Sequence, residues 1–115
     1  MKRLAVGLIA TLAFLAVGLS AQKDQTFTGE IMDSQCGFLG GHTAMLQKSE
    51  SAKDCTLRCV KLGGKFVLFD VATKMSYQLD AQKKAEPFAG DRVKVTGTYD
   101  ASTKTIHVTD IKAGS

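Results

Sequence analysis

Three cysteines and one histidine are the residues of this sequence whose types and spacing could do chemistry. Cys55 and Cys59 are separated by one helical turn, so in a helix their side chains share one face. Cys36 and His42 come from a glycine-rich stretch just upstream. Three thiols and one imidazole are enough for a tetrahedral zinc ion, and soft thiolates also suit monovalent copper. Cys36, His42, Cys55 and Cys59 are therefore the candidate ligands of a copper or zinc site.

A disulfide is the alternative use of the same cysteines. Cys55 and Cys59 make an awkward pair, because Cβ atoms one helical turn apart lie outside the usual bridging distance of ~3.5–4.5 Å. Cys36 can pair with either of them and would close a loop of roughly twenty residues, worth ~3 kcal/mol in the chain-entropy picture. The protein would then be a disulfide-stapled module that binds a peptide, a glycan or a partner protein and holds no metal. The sequence leaves both alternatives open.

Two further side chains, Met45 and Asp33, could take part in such a site. Met45 offers a thioether to copper, although a methionine at this position more often packs on the core. Asp33 precedes the glycine-rich stretch and is expected to orient this loop through an Asx turn, or to support His42. His107 alternates with apolar neighbours and is expected at the surface.

Enzyme chemistry finds little support in the sequence. Cys36 and His42 could act as nucleophile and base, but no third orienting group and no oxyanion site can be identified. The sequence also has no serine elbow, phosphate loop or haem-attachment motif. We expect no catalysis.

The N-terminal segment has the pattern of a secretory signal peptide. Lys2 and Arg3 precede an apolar run over 4–19, and a small residue, Ala21, stands before a polar stretch. The alternative is a retained membrane anchor, but the run is shorter than the ~20 residues that span a bilayer. We predict a signal peptide over residues 1–21 and a single domain over residues 22–115. The product would be periplasmic or secreted, with no stable membrane anchor after cleavage.

Composition and charge narrow the class of partner. The chain has 115 residues, 44% of them hydrophobic, which suits one globular domain. The formal charge of +4 falls by two when Lys2 and Arg3 are removed, and the remaining lysines are scattered. Nucleic acid is therefore an unsuitable partner.

The hydrophobic pattern predicts a mainly β domain with one helix. Period-two alternation places strands near residues 26–32, 65–71, 75–79, 92–99 and 105–109. Ser51 and Asp54 resemble a capping box and Gly63-Gly64 a stop signal, so a helix near 51–62 lies between strands 1 and 2. Residues 33–48 and 80–89 are predicted as loops. The expected fold is a small antiparallel OB-like β-barrel, with bends or bulges at Gly29 and Gly97.

Several motifs together resemble a known protein family. They are the segment 29–37 (GEIMDSQCG), His42, the segment 54–61 (DCTLRCVK) and the segment 93–98 (VKVTGT). This pattern is similar to that of a family of small exported bacterial proteins, uncharacterised in function, with an OB-like barrel. The resemblance covers nearly all of the predicted domain. It implies a fold and a compartment rather than an activity.

Overall fold

The computed structural model describes residues 23–41, 47 and 49–114 of the chain. The described part is mainly β, with five strands, three short helices and one 3₁₀ turn. In chain order they are β1 (Gln25–Asp33), α1 (Ser34–Leu39), α2 (Ala52–Lys61), β2 (Phe66–Asp70), β3 (Met75–Leu79), α3 (Gln82–Ala85), the 3₁₀ turn (Glu86–Phe88), β4 (Arg92–Asp100) and β5 (Thr105–Ala113). All five strands lie where the alternation predicts them. The predicted signal peptide and the candidate ligand His42 lie outside the described residues.

The five strands form one sheet that closes into a ring in the order β1-β2-β3-β5-β4, with β4 returning to β1. Four neighbouring pairs are antiparallel, but β3 and β5 are parallel where Gln78 and Leu79 face Thr105 and Ile106. The prediction of a wholly antiparallel sheet is therefore wrong at this pair. The reason is parity, because strand directions cannot alternate throughout a closed ring of five strands.

Gly97 marks the sharpest irregularity in the sheet. The β4–β5 register shifts between Thr96 and Gly97, which confirms the expected bulge. A side chain at Gly97 would run into the backbone carbonyl of His107. The absence of a Cβ thus lets β5 pass close to β4 at the register shift.

The helix predicted near 51–62 is confirmed as α2. The side chain of Ser51 caps its first turn by accepting a hydrogen bond from the Asp54 N–H at 3.1 Å. Beyond its last turn, Gly63 has a positive φ of 118°, and its N–H donates to the Val60 carbonyl. Both ends of α2 therefore follow the local signals in the sequence.

Both segments predicted as loops contain short helices, which corrects that interpretation. In residues 33–48, α1 starts at the Asp33 cap and ends at Gly40, whose φ is 89°. In residues 80–89, α3 has no side-chain cap, but the Gln82 amide hydrogen-bonds Phe66 and Leu79 at the start of β2 and the end of β3. Helices of four and six residues are too short to show a 3.6-residue period, so the pattern could not reveal them.

Two hydrophobic clusters lie on opposite faces of the same part of the sheet. The ring interior draws residues from every strand, for example Ile31 of β1 and Leu68 of β2. The next residues along these strands, Met32 and Phe69, point the other way and pack under α1 and α2. We call this second group the cysteine cluster; it comprises Met32, Cys36, Cys55, Cys59, Val67 and Phe69.

Candidate metal centre

The structure brings the three cysteine sulfurs together. Each Sγ of Cys36, Cys55 and Cys59 lies within 4.8 Å of the other two, and all three residues are buried. Cys36 comes from α1, and Cys55 and Cys59 come from adjacent turns of α2. The predicted convergence of the three cysteines is therefore confirmed for the part of the chain that the structure describes.

Asp33 holds Cys36 in place. Its carboxylate is fully buried and accepts the backbone N–H groups of Gln35 at 3.0 Å and Cys36 at 3.1 Å. This is the Asx-type cap expected from the sequence, and it starts α1 at the residue that ends β1. One carboxylate thus fixes the backbone that carries Cys36 into the cluster.

The inward face of α2 carries Cys55, Thr56 and Cys59, all buried. Leu62, which directly follows the last residue of α2, is 78% exposed and does not extend this face. The helix ends at Lys61, and Leu62 occupies the cap, where the backbone leaves the helical path. Thr56 takes its place on the buried face, and its Oγ1 has no hydrogen-bond partner in the described structure.

An ion pair that the sequence pattern does not reveal lies beside Cys55. Arg58 forms a bidentate ion pair with Glu50: Nε lies 2.8 Å from one carboxylate oxygen and Nη2 lies 3.0 Å from the other. The same Nη2 is 3.9 Å from the Cys55 sulfur. Hydrogen bonding from Arg58 lowers the pKa of Glu50 to about 2. A guanidinium is therefore held next to a sulfur that could become a thiolate.

Burial keeps two of the thiols protonated. Burial, followed by the nearby Asp33 carboxylate, raises the pKa of the Cys36 thiol well above its usual value. Burial also raises the pKa of Cys59, again with a contribution from Asp33, and Arg58 opposes this rise. In the metal-free protein at neutral pH these groups are thiols, so a bound metal has to displace their protons.

The remaining candidates do not add described ligands. His42 and Met45 fall in residues 42–46, which lie outside the described structure, so both stay predictions. His107 is exposed, as expected, and its Nδ1 lies 3.0 Å from the Asp80 carboxylate; neither residue belongs to the cysteine cluster. Of the metal ligands proposed from the sequence, those that lie together in the described residues are Cys36, Cys55 and Cys59.

The sulfur geometry permits either a metal ion or a disulfide. Three sulfurs bound to one ion at about 2.3 Å lie roughly 3.8–4.0 Å from one another, so the cluster needs to contract by less than about 1 Å. A disulfide needs a larger movement of two sulfurs, to a separation of about 2.05 Å, and leaves the third as a thiol. The arrangement permits a metal and does not by itself show one.

Residues 59–114 match the family described as "Protein of unknown function (DUF5818)". The matched segment contains β2 to β5 and, of the three cysteines, Cys59. No curated protein matches the chain, and no solved structure does. None of these comparisons assigns an activity to the chain. The chemistry of the cysteine cluster is therefore the basis for a functional proposal.

Within residues 23–41, 47 and 49–114, no helix has the length and apolar character needed to cross a membrane.

Proposed function

We propose that this protein binds one thiophilic metal ion through Cys36, Cys55 and Cys59. The observation that carries the proposal is the mutual proximity of three buried sulfurs contributed by two separate helices. Copper(I) fits this set best, because it is soft and is satisfied by three sulfur ligands. Zinc requires a fourth ligand, for which His42 is the candidate.

Packing alone does not account for this choice of residues. Valine or alanine would fill a covered sheet face equally well, whereas this cluster places three thiols beside a buried carboxylate and a guanidinium. Arg58 lies near the Cys55 sulfur, and its positive charge stabilises the negative charge that deprotonation creates there. The Asp33 carboxylate accepts a hydrogen bond from the Cys36 backbone N–H and acts as a supporting group of the kind that positions a metal ligand.

The wider proposal concerns where the protein works. We place it in the periplasm or outside the cell after removal of residues 1–21, as a non-catalytic metal carrier, buffer or metal-stabilised domain. The closed five-stranded ring with a short helical segment between β3 and β4 supports an OB-like barrel as its fold. Nucleic acid and a stable membrane anchor are not part of the proposal.

A competition titration tests the metal site. Reduced protein is titrated with copper(I) against a chromophoric copper(I) chelator, and separately with zinc. Serine variants of Cys36, Cys55 or Cys59 are each expected to lose more than about 100-fold in copper affinity, since outer supporting groups alone are worth 10–100-fold. Thr56→Val is the matched control: it changes a buried residue on the same helix face, carries no sulfur and should retain full affinity.

The zinc arm tests His42. If His42 supplies a fourth ligand, His42→Ala should lower zinc affinity and leave copper(I) affinity nearly unchanged. Absence of copper and zinc binding in reduced wild-type protein would overturn the metal proposal. A thiol count of one would then support the disulfide-stapled module that binds a peptide, a glycan or a partner protein.

A further inference from the structure

A surface cavity lies against one of the three clustered cysteines. It has a volume of about 310 Å³, and Cys59 is the member of the cysteine trio that lines it. Cys59 is also the least buried of the three, at 5% exposure against 0% for Cys36 and Cys55. The cavity wall is completed by Ser34, Gln35, Arg58, Leu62, Gly63 and Gly64.

One residue in the wall of this cavity, Gly64, has no room for a side chain. A Cβ at Gly64 would lie 2.9 Å from the Asp33 carboxylate and 3.1 Å from the Cys59 carbonyl. Gly64 therefore lets the chain after α2 pass close behind Cys59. The rim carries side chains that project into solvent, among them Gln35 of α1 and Leu62 at the end of α2.

We propose that copper(I) enters through this cavity as a complex with a low-molecular-weight thiol, and that Cys59 is the first protein sulfur to bind it. This inference rests on the proposed metal function. Copper(I) needs soft ligands throughout its transfer, and a cavity of this size accommodates a small molecule rather than a folded protein. The fully buried Cys36 and Cys55 receive the ion from Cys59.

The transfer is a ligand exchange with no change of oxidation state. The Cys59 sulfur forms a bond to copper, one copper–sulfur bond to the carrier breaks, and the Cys59 proton leaves with the released carrier thiol. Cys36 then displaces the second carrier sulfur, which takes the Cys36 proton and leaves as a thiol. Cys55 adds as the third sulfur ligand without displacing another, and its proton passes to solvent. The copper remains monovalent at each step.

The first experiment measures access without any metal. Reduced, metal-free protein is treated with a limiting amount of N-ethylmaleimide, and the labelled peptide is identified by mass spectrometry. Cys59 is expected to be labelled before Cys36 and Cys55. Labelling of Cys36 or Cys55 first would overturn the proposed entry route.

The second experiment measures copper loading from the copper(I) complex of glutathione by stopped flow. Leu62→Trp and Gln35→Trp place large side chains on the rim and should slow loading by about tenfold, with the same final stoichiometry. Val71→Trp is the matched control, because Val71 is also exposed but lines a different cavity. Loading at the wild-type rate in both rim variants would overturn the entry route and leave the metal site standing. Failure of wild-type protein to bind copper at all would instead overturn the proposed function and this inference with it.

Discussion

The ring interior and the cysteine cluster are both buried, share strands β1 and β2, and differ in what they bury. The interior is built from apolar side chains such as Ile31, Leu68 and Val93. The cysteine cluster lies on the opposite face of the same strands and adds three thiols to Met32, Val67 and Phe69. A fully buried carboxylate, Asp33, stands beside those thiols.

The difference separates what stabilises the fold from what gives it chemistry. The apolar side chains of the interior stabilise the fold by burial and need no hydrogen-bond partners. In the cysteine cluster, hydrogen bonds at a helix cap and an ion pair offset the cost of burying polar groups. These contacts hold the reactive groups at fixed positions. We expect substitutions in the interior to act mainly on stability and substitutions in the cluster mainly on metal affinity.

The largest stability effect is expected from truncation in the interior. Leu68→Ala removes a fully buried side chain and should lower the free energy of unfolding by about 2–5 kcal/mol. Urea unfolding of reduced protein measures the loss. The copper bound per folded molecule should stay at the wild-type value; a loss of copper from protein that is still folded would contradict the separation of the two regions.

Alkaline pH should weaken the metal-free protein through the cysteine cluster. The pKa values of Cys36 and Cys59 are raised by burial, so their contribution to stability is present below the unfolded thiol pKa of about 9 and is lost as pH rises above it. The slope is at most about 1.4 kcal/mol per pH unit for each thiol. Urea unfolding at pH 8 and pH 10 under reducing conditions measures this loss.

Tyrosines and lysines also titrate in this range, so the pH experiment requires a control. Protein with both Cys36 and Cys59 changed to alanine should show a smaller loss between pH 8 and pH 10. An equal loss in this variant and in the wild type would mean that the buried thiols do not cause the effect.

Removal of the Asp33 cap should cost less. Asp33→Ala leaves the N–H groups of Gln35 and Cys36 without their acceptor and is expected to destabilise the protein by about 1 kcal/mol. Asp33→Asn is the informative comparison, because asparagine caps helices about as well as aspartate. Thermal unfolding should rank wild type and Asp33→Asn above Asp33→Ala; equal losses in the two variants would show that the charge, rather than the cap, matters.

The smallest effect is expected at an exposed surface pair that belongs to neither cluster. Burial of Asp80 raises its pKa, but hydrogen bonds from the Val108 N–H and from His107 outweigh it, and the net pKa is lowered. Its contribution to stability is therefore present above the unfolded aspartate pKa of about 4 and is lost as pH falls below it.

Asp80→Asn should change stability at pH 7 by no more than about 0.5 kcal/mol, because the pair is exposed. The variant should also lose less stability than the wild type when the pH is lowered from 5 to 3. Thermal unfolding at these pH values measures both quantities, and a steeper acid loss in the variant would contradict the assignment.

The sequence predicts the regular elements well and the tertiary contacts poorly. Strand alternation and the caps of α2 are local, so they could be read from neighbouring residues. Ring closure through the parallel β3–β5 pair depends on contacts between residues distant in the chain, such as Gln78 and Thr105. Helix α3 likewise depends on Gln82 reaching Phe66, sixteen positions away.

The candidate site shows the same division. The spacing of Cys55 and Cys59 predicts that they share one helix face. The Asp33 cap could be predicted from its position before the glycine-rich stretch. The contact between Glu50 and Arg58 spans the start of α2 and follows no short-range rule, so it could not be predicted. The exposure of Leu62 depends on where α2 ends, and helix ends are the least certain feature of a sequence pattern.

Intact-mass measurement tests the central claim most directly. Protein loaded with copper(I) under reducing conditions is weighed under native conditions, then denatured, stripped of metal and fully alkylated. We predict a native mass that includes one copper ion and an alkylated mass that carries three labels, one for each cysteine. A native mass without metal, together with a single label on a disulfide-bonded chain isolated without reductant, would contradict the claim.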